Sequence, residues 1–283
     1  MAAPTIDTTF ISQFESEVHV AFQRMGSKLR NTVREKKVSA QDDTFPKIGK
    51  GVAGQKARHG KVPLMNLDHS KVKVSMDDYY TGELIDKLDM LKTNIDERQV
   101  TVQAIAGALG RKVDEVLTTT MDSATTGTSE SPQGADNVVV HGSTGLTKAK
   151  IQGVHQRFGD RDVPDDGQRY WPVSPAGWVD LIDIQEFSDA DYIGPDQLPW
   201  PTGITAKRWF GFLWWSFSGL PISGSTRKSF CYHRSAIGLG MNAEPQITPS
   251  YENEYAAFLF VGSLALGSVI IDQDGLEEVQ YTE

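Results

Sequence analysis

The chain has 283 residues, a mass of 31.2 kDa, a formal net charge of −9 and 39% hydrophobic residues. This is the composition of a globular protein with one large or two small domains, and it excludes the collagen-like, coiled-coil and wholly disordered classes. Cys231 is the single cysteine, which excludes an internal disulfide framework and a zinc site built on paired cysteines.

Residues 1–40 are predicted to form an N-terminal arm. The start, MAAPTIDTTFISQFESE, lacks the basic and apolar regions of a secretory signal, so we expect the protein to stay in a reducing cytosol. Apolar residues at helical spacing predict a short amphipathic helix within the arm. They are Phe10, Ile11, Phe14, Val18 and Phe22.

The end of the arm is basic, and only Glu35 opposes its positive charges. Its basic cluster comprises Arg24, Lys28, Arg30, Arg34, Lys36 and Lys37. From Arg24 to Lys73 the chain has 13 basic and 4 acidic residues, whereas the remainder has 15 basic and 33 acidic residues. This asymmetry favours an interaction segment, although a solvated flexible arm would have the same composition.

Residues 41–75 are rich in glycine and lysine and poor in apolar side chains. Alternation near Thr44–Ile48 and around Val72, Val74 and Met76 predicts two strands, and hence a long two-stranded ribbon. The glycines and bases between or beside them are Gly49, Gly51, Gly54, Gly60, Lys47, Lys50, Lys56, Arg58 and Lys61. Because an isolated ribbon is marginal in water, it needs a surface to lie on, and its own domain offers no obvious one.

Residues 78–123 carry the clearest helical pattern in the chain. Apolar residues recur at strict seven-residue steps: Leu88, Ile95, Val102, Leu109 and Val116. On the same face lie Leu91, Ile105, Ala106 and Val113. A helix of about 30 residues would be roughly 45 Å long. Gly107 and Gly110 each cost it about 1 kcal/mol, so packing must stabilise it.

The second half of the chain predicts an α/β segment followed by strands. We expect helices at Thr147–Phe158 and Ser174–Ile184, with a strand between them at Tyr170–Val173. All six tryptophans lie between Trp171 and Trp215, which predicts a compact core for this segment. The uncharged run Ala256–Ile271 is too short to span a bilayer as a helix, and its glycines favour two buried strands joined by a turn. Leu276–Tyr281 is predicted as the last strand.

The sequence contains partial matches to known catalytic and ligand-binding motifs, but each lacks a required feature. GKGVAG at Gly49–Gly54 matches the GxGxxG pattern, but a dinucleotide site needs a helix directly after it, and Gln55–Pro63 has no helical pattern. The histidines lack HExxH spacing, and no GxSxG occurs. The acidic string Asp160–Gly167 lacks the calcium-loop pattern. The sequence therefore predicts no catalytic, cofactor-binding or metal-binding residue.

Five short phrases, together with the order of the elements, resemble a known family. They are FPKIG (Phe45–Gly49), DDYYTGELID at the start of the long helix (Asp77–Asp86), EFSDADYIG (Glu186–Gly194), WFGF (Trp209–Phe212) and FCYHRSAIGLGM (Phe230–Met241). A basic arm, a ribbon, a long helix, an α/β insertion and returning strands follow one another. The whole is similar to the tailed-bacteriophage major capsid proteins of the Hong Kong 97-type fold, of podovirus or siphovirus type.

The resemblance implies an α+β fold with five parts. They are an N-terminal arm at 1–40, an extended loop (β-ribbon) at 41–76, a peripheral domain with the spine helix at 77–145, an axial domain at 146–240, and peripheral return strands at 241–283. The spine helix would span 84–121 and pack through the seven-residue series above against strands 246–281. The loop 194–203 would lie at the five-fold and six-fold axes.

The resemblance also implies which residues contact other molecules. The extended loop would lie on a neighbouring subunit through Phe45, Lys47, Lys50, Lys56, Arg58 and Lys61. The basic cluster of the arm would face packaged DNA or an adjacent extended loop. No covalent cross-linking is expected, because no motif identifies an asparagine or glutamate partner for the loop lysines.

The implied function is that of a coat protein which self-assembles as pentamers and hexamers into an icosahedral shell around double-stranded DNA. It would be assembled in the host bacterial cytoplasm and reside in the virion. Its partners would be other copies of itself, a separate scaffolding protein, a portal and an optional decoration protein, with non-specific DNA contacts and no membrane. A separate scaffold is expected because only about 40 residues precede the extended loop.

Three other interpretations remain open at this level. An encapsulin-like shell would enclose cargo protein instead of DNA. A cytosolic nucleotide-binding enzyme would use Gly49, Gly51 and Gly54 as its phosphate loop. A sequence-independent nucleic-acid binder would use Arg24–Lys37, although the acidic remainder of the chain opposes high affinity.

Overall fold

The computed structural model describes residues 26–86, 97–125, 137–188 and 206–283, which form a mixed α and β structure. The described residues fall into two compact units. The first unit contains residues 26, 78–86, 97–112 and 243–264. The second unit contains residues 27–77, 113–125, 137–188, 206–242 and 265–283.

The elements of the described residues are these. The strands are β1 (Arg34–Lys37), β2 (Asp42–Ile48), β3 (His69–Ser75), β4 (Asp77–Asp86), β5 (Val138–Val139), β6 (Arg169–Val173), β7 (Ala206–Trp209), β8 (Phe212–Ser216), β9 (Ile222–Ser223), β10 (Thr226–His233), β11 (Ile237–Glu252), β12 (Ala257–Ile270) and β13 (Leu276–Thr282). The helices are α1 (Glu97–Thr125), α2 (Lys148–Asp160), α3 (Pro175–Asp183) and α4 (Gln185–Ser188).

The strands make three sheets. A four-stranded sheet has the order β1-β11-β12-β4, and a seven-stranded sheet has the order β5-β13-β10-β6-β8-β7 with β9 paired to β10. Strands β2 and β3 pair only with each other among the described strands, as a two-stranded ribbon. The pairs β1–β11, β6–β8 and β5–β13 are parallel. The ribbon predicted from the sequence is therefore present.

The long helix α1 has the predicted length but starts later than expected. It has 29 residues and begins at Glu97, whereas Asp77–Asp86, which we expected at its start, is strand β4. In β4 the side chains of Tyr79, Thr81 and Ile85 are at least half-buried while most of their neighbours are exposed. That alternation is the two-residue period of a strand. Leu88 and Ile95 lie outside the described residues.

The buried stripe of α1 differs from the predicted seven-residue series. Its members follow one another at four-residue steps: Ile105, Leu109, Val113, Leu117 and Met121. Of the predicted series, Leu109 is buried and Val102 and Val116 are half-buried, and Ala106 is exposed. Four residues overshoot one helical turn by about 40°, so this stripe winds around the helix instead of forming a straight seam.

The apolar run before the last strand forms one continuous strand, β12, and the expected turn within it is wrong. Both glycines lie in extended backbone, at positions where neighbouring atoms leave no room for a side chain. A Cβ on Gly262 would lie 2.4 Å from Cγ2 of Ile105, and one on Gly267 would lie 1.9 Å from the carbonyl oxygen of Ser75. These glycines therefore allow close approach of helix α1 at Gly262 and of strand β3 at Gly267, without breaking β12.

The tryptophan-rich segment has the predicted core. Trp171 and Trp214 are fully buried and stack with their ring centroids 4.2 Å apart. The indole Nε1 of Trp171 donates to Oγ of Ser229 at 2.8 Å. Val279 and Tyr281 of β13 pack into the same core. The last strand, which we had assigned to the peripheral return strands, thus joins the sheet of the segment predicted as the axial domain.

Helix α3 begins as predicted, with Ser174 as its N-cap and Pro175 as its first residue. Oγ of Ser174 accepts hydrogen bonds from the amide of Gly177 at 3.0 Å and from the hydroxyl of Tyr281 at 2.9 Å. Burial raises the pKa of Tyr281 to about 12, so its hydroxyl remains a donor at neutral pH. The cap therefore also fixes the end of β13.

We expect Ser174→Ala to lower the free energy of unfolding by about 1–2 kcal/mol, because both donors lose their acceptor. Urea denaturation of the subunit measures the effect. Ser223→Ala in the exposed strand β9 is the control and should change it by less than about 0.5 kcal/mol. Equal effects of the two substitutions would contradict the assigned role of Ser174.

Candidate functional site

A two-stranded ribbon carries a loop at its end, residues 49–68, that is exposed along nearly its whole length. Strands β2 and β3 are antiparallel, in a register that runs from Asp42 opposite Ser75 to Ile48 opposite His69. The pairing continues by one hydrogen bond beyond the strands, from the amide of Gly49 to the carbonyl of Asp68 at 2.8 Å. We call residues 49–68 the distal loop.

The two halves of the distal loop run side by side to a tight turn. A Cβ on Gly51 would lie 2.1 Å from Sδ of Met65, and one on Gly54 would lie 3.0 Å from Pro63. The turn closes where the amide of Gly60 donates to the carbonyl of Ala57 at 3.0 Å. His59 has a φ of 67° there, in the left-handed region. The loop is thus a narrow hairpin-like finger, which agrees with the predicted long two-stranded ribbon.

The side chains of the distal loop are exposed to solvent. All its residues except Gly49 and Leu67 are classed as exposed, including Lys50, Lys56, Arg58 and Lys61. Most of its apolar side chains are exposed too, since Val62 is 67% and Leu64 is 85% exposed. Leaving apolar surface in water costs roughly 25 cal/mol per Å², so a finger of this composition is typical of a surface that another molecule covers.

The base of the ribbon is held by its own chain, contrary to the sequence-based expectation. Phe45 is fully buried in a cluster with Val38, Val74, Met76 and Ile271. Gly238 leaves space for its ring, because a Cβ there would lie 2.8 Å from Cε2 of Phe45. Phe45, which we had assigned to the surface that contacts a neighbouring subunit, is therefore an anchor inside its own subunit.

Ion pairs reinforce this base. Lys36 Nζ lies 2.7 Å from Oδ2 of Asp43, and Lys73 Nζ lies 2.9 Å from Oδ2 of Asp42. Hydrogen bonds from these lysines are the first cause that holds the pKa of each aspartate below its ordinary value. Lys47 Nζ lies 3.0 Å from Oδ1 of Asp272. Exposed pairs of this kind contribute about 0–1 kcal/mol each and mainly fix orientation.

The six predicted loop residues therefore divide into two groups. Phe45 and Lys47 contact their own subunit at the base, and Lys50 lies 3.7 Å from Oδ2 of Asp274. Lys56, Arg58 and Lys61 lie in the exposed finger. The sequence could not separate the groups, because all six stand in one basic, glycine-rich stretch.

The basic cluster of the arm is partly engaged within the chain. Arg30 forms an ion pair with Glu35 at 2.7 Å, and Lys36 pairs with Asp43. Arg34 is exposed, with its guanidinium 5.8 Å from the ring centroid of Phe45. Lys28 and Lys37 are exposed, and Arg24 lies outside the described residues. Asp43, which lies beyond the arm in sequence, is thus a second acidic partner besides Glu35.

A buried carboxylate holds residues 27–29 within the second unit. Asp114 of α1 is 1% exposed and accepts hydrogen bonds from Oγ of Ser27 at 2.6 Å and from the amides of Lys28 and Leu29. Three donors on one buried carboxylate hydrogen-bond its charge inside the fold. Sequence reasoning missed this residue, because a lone aspartate on a helix carries no distinctive pattern.

An acidic strand edge is the second feature that the sequence analysis missed. Strand β4 contains four acidic residues, Asp77, Asp78, Glu83 and Asp86, and no basic one. Between them Tyr80 is 71% and Leu84 is 43% exposed. The signal was present in the sequence as an acidic run with alternating apolar residues, but the prediction of a helix there concealed it.

The described residues give no support to a nucleotide-binding or metal-binding site. Gly49, Gly51 and Gly54 lie in a loop between two antiparallel strands, and residues 42–75 contain no helix, so the geometry of a nucleotide site is lacking. Among the described residues no cluster of histidine, cysteine and carboxylate side chains is placed to hold a metal ion. None of the described helices has the length and hydropathy that a bilayer span requires.

Comparisons with known proteins identify relatives across nearly the full chain. The family described as phage capsid protein matches residues 6–283. The capsid structure of the cyanophage P-SCSP1u aligns with a TM-score of 0.76 and 16% identity, covering 98% of this chain and 94% of that chain. The structure of Mycobacterium phage Che8 aligns with a TM-score of 0.73 and 13% identity, covering 95% and 97%.

The capsid of a native GTA particle aligns over 100% of this chain and 99% of that one, with a TM-score of 0.72 and 11% identity. At such low identities these structures show the shared fold, and they confirm the expected α+β capsid fold. No curated protein matches the chain.

Proposed function

Since the chain belongs to the phage capsid protein family, we propose that copies of it assemble as pentamers and hexamers into an icosahedral shell around double-stranded phage DNA. Family membership makes it a major capsid protein, a structural component of the virion shell. The pentamers, hexamers and enclosed DNA are the finer part of the proposal. They rest on the family, the capsid fold and the exposed distal loop.

The distal loop is the observation that carries the assembly proposal. It exposes apolar and basic side chains together, and its base is fixed to its own subunit through Phe45. A finger that is anchored at one end and exposed at the other suits a clamp on a neighbouring subunit. Because each subunit both gives and receives such a clamp, weak contacts multiply around a closed shell.

The arm supplies the proposed contact with DNA. Its exposed bases Lys28, Arg34 and Lys37 would touch phosphates without reading sequence, and such contacts weaken as salt rises. The acidic remainder of the chain would keep the affinity for DNA low. A separate scaffolding protein, a portal, an optional decoration protein and assembly in the host cytoplasm stay predictions from the family resemblance. Subunits without covalent cross-links also stay a prediction.

Deleting residues 51–66 tests the clamp. The deletion leaves Phe45, both ribbon strands and the ion pairs of the base in place, so we expect a folded subunit that forms no closed shells. Negative-stain electron microscopy of full-length and shortened chains, each expressed with its scaffold, measures shell formation. Circular dichroism of both subunits checks the fold.

Either of two results would contradict the proposal. Closed shells from the shortened chain would remove the role of the distal loop as a clamp. A full-length chain that stays monomeric or dimeric at high concentration, with scaffold supplied, would remove the assembly function itself.

A further inference from the structure

We propose that Ser235 is a nucleophile that accepts the acyl group of small neutral esters, with His233 as its base and Asp166 as the residue that positions the imidazole. All three residues lie in the second unit, and the reaction needs one subunit alone. This activity goes beyond the proposed assembly function and does not depend on it.

Two hydrogen bonds join the three side chains in a line. Oγ of Ser235 lies 2.7 Å from Nδ1 of His233, and Nε2 of His233 lies 3.1 Å from Oδ1 of Asp166. His233 is 5% exposed, whereas Ser235 and Asp166 are exposed to solvent. A serine, a histidine and an aspartate connected in this order form the activated nucleophile of many hydrolases, here with the two ring nitrogens in exchanged roles.

The backbone determines which ring nitrogen of His233 carries the proton. The amide of Ser235 also donates to Nδ1, at 3.3 Å. Because a backbone amide can only donate, Nδ1 of the neutral imidazole is the acceptor and Nε2 carries the proton. Nε2 then donates to Asp166, and the hydroxyl of Ser235 donates to Nδ1. The basic nitrogen therefore lies where it can receive the hydroxyl proton of the serine.

Strand pairing brings the three residues together. His233 ends β10, which pairs with β6 directly after the loop that carries Asp166. The amide of Arg234 donates to the carbonyl of Gln168 at 3.1 Å, and the amide of Gln168 donates to Oδ1 of Asp166 at 2.9 Å. The sequence predicted no catalytic residue because Asp166 and His233 are 67 positions apart, and spacing along the chain does not indicate their contact.

A small cavity lies beside the hydroxyl of Ser235. Its volume is about 110 Å³, and its walls include Ser235, His233 and two cationic side chains, Lys50 and Arg161. Arg161 is 5% exposed, and its Nη2 has no hydrogen-bond partner among the described atoms. Positive groups near the serine would stabilise the negative oxygen that develops when an ester carbonyl is attacked.

The walls of this cavity favour a neutral substrate with a short acyl group. Three acidic residues, Asp162, Asp272 and Asp274, line the cavity together with the two cations. Their carboxylates repel an anionic ligand, whereas an ester carries no charge. The small volume admits a group such as acetyl and leaves the alcohol part of the ester in solvent.

The proposed reaction has two steps. Oγ of Ser235 bonds to the carbonyl carbon of the ester while Nδ1 of His233 takes the hydroxyl proton. The ester C–O bond breaks, and the alcohol leaves with the proton that His233 returns. Water, deprotonated by His233 in the same way, then hydrolyses the acyl-serine to a carboxylic acid and restores Ser235. Throughout, Asp166 stays ionised and orients the imidazole.

Diisopropyl fluorophosphate tests the nucleophile directly on the full chain. Oγ of Ser235 would displace fluoride from phosphorus, with His233 taking the hydroxyl proton. We expect one label per chain, at Ser235, located by mass spectrometry of tryptic peptides. In free subunits of Ser235→Ala the label should be absent.

The chain contains a matched internal control. Ser143 is exposed and follows His141 by two positions, and its amide donates to Nδ1 of His141 at 3.0 Å. Within the described part of the chain, no hydrogen bond joins the hydroxyl of Ser143 to this imidazole, and no carboxylate pairs with the ring. Ser143 should therefore stay unlabelled under the conditions that label Ser235.

Hydrolysis of p-nitrophenyl acetate separates the roles of the other two residues. We expect His233→Gln and Asp166→Asn each to lower kcat at least roughly tenfold. Asp166 does not line the cavity, so Asp166→Asn should leave KM unchanged, whereas a residue that only stabilised the site would change KM as well. Circular dichroism checks the fold of each variant.

Three results would overturn this inference. They are equal labelling of Ser235 and Ser143, an unaltered chain labelled at neither serine, and a folded Asp166→Asn variant with unchanged kcat. Shell formation by Ser235→Ala, measured separately by electron microscopy, should equal that of the unaltered chain. The assembly function therefore stands or fails independently of the reactive serine.

Discussion

Gly267→Ala should unfold the subunit or lower its free energy of unfolding by more than about 4 kcal/mol, and shells should be lost with it. A Cβ at this position would lie 1.9 Å from the carbonyl oxygen of Ser75, a backbone atom that no side-chain rotation can move. Ser75 ends β3 and precedes Met76, which packs on Phe45. Displacing it would loosen the anchor of the ribbon.

Urea denaturation and negative-stain microscopy measure the two effects of Gly267→Ala. Gly153→Ala is the matched control. Gly153 lies within helix α2, where a Cβ meets no atom within 4 Å, so alanine there should stabilise by about 0.5–1 kcal/mol. A Gly267→Ala subunit as stable as the unaltered chain would show that β3 and β12 are not packed as described.

Glu277→Ala is expected to cost about 3–5 kcal/mol of stability. The carboxylate of Glu277 is fully buried and pairs with Arg157 and with Arg161, whose Nη1 lies 2.8 Å from Oε2. Arg161 is itself 5% exposed, and its Nη2 has no hydrogen-bond partner among the described atoms. Without Glu277 a buried guanidinium would lose its one described carboxylate, which is far more costly than losing a pair in water.

Thermal or urea unfolding compares Glu277→Ala with Glu35→Ala. Glu35 pairs with Arg30 at the surface, so its loss should cost less than about 1 kcal/mol. Glu277→Gln keeps the shape of the side chain and should still destabilise strongly, because it removes the charge. Similar small losses for all three variants would mean that water reaches the Glu277 site.

The sequence predicted elements well where one pattern dominated. Ser174 and Pro175 marked the start of α3 because an N-cap and a proline at the first helical position are local signals that tertiary contacts did not override. The ribbon was predicted because alternation at Thr44–Ile48 and around Val72, Val74 and Met76 indicated two strands, with too few apolar side chains between them for a core. The tryptophans predicted a core because large aromatic side chains are rarely left in water.

Predictions failed where two sequence patterns overlapped, or where a contact distant in sequence determined the local structure. Tyr79, Thr81 and Ile85 fit a strand, yet the seven-residue series beyond them favoured one continuous helix. Gly267 read as a turn, and only the carbonyl of Ser75, far away in sequence, explains it.

The candidate site was predicted in outline. Its location in residues 41–76 followed from composition, whereas the burial of Phe45 depends on a pocket that Gly238 and Ile271 provide from other strands. Sequence spacing carries no signal for that pocket. The acidic edge of β4 was visible as residues but not as an edge, because strand order is a property of the folded sheet.

The acidic edge of β4 also affects how free subunits meet one another before a shell exists. Two identical edges that met side by side would bring eight carboxylates together, four from each copy, with no basic residue in either strand. Like charges in neighbouring strands repel, so pairing of β4 with β4 is disfavoured. In a concentrated pool of newly made chains we therefore expect little association through this edge.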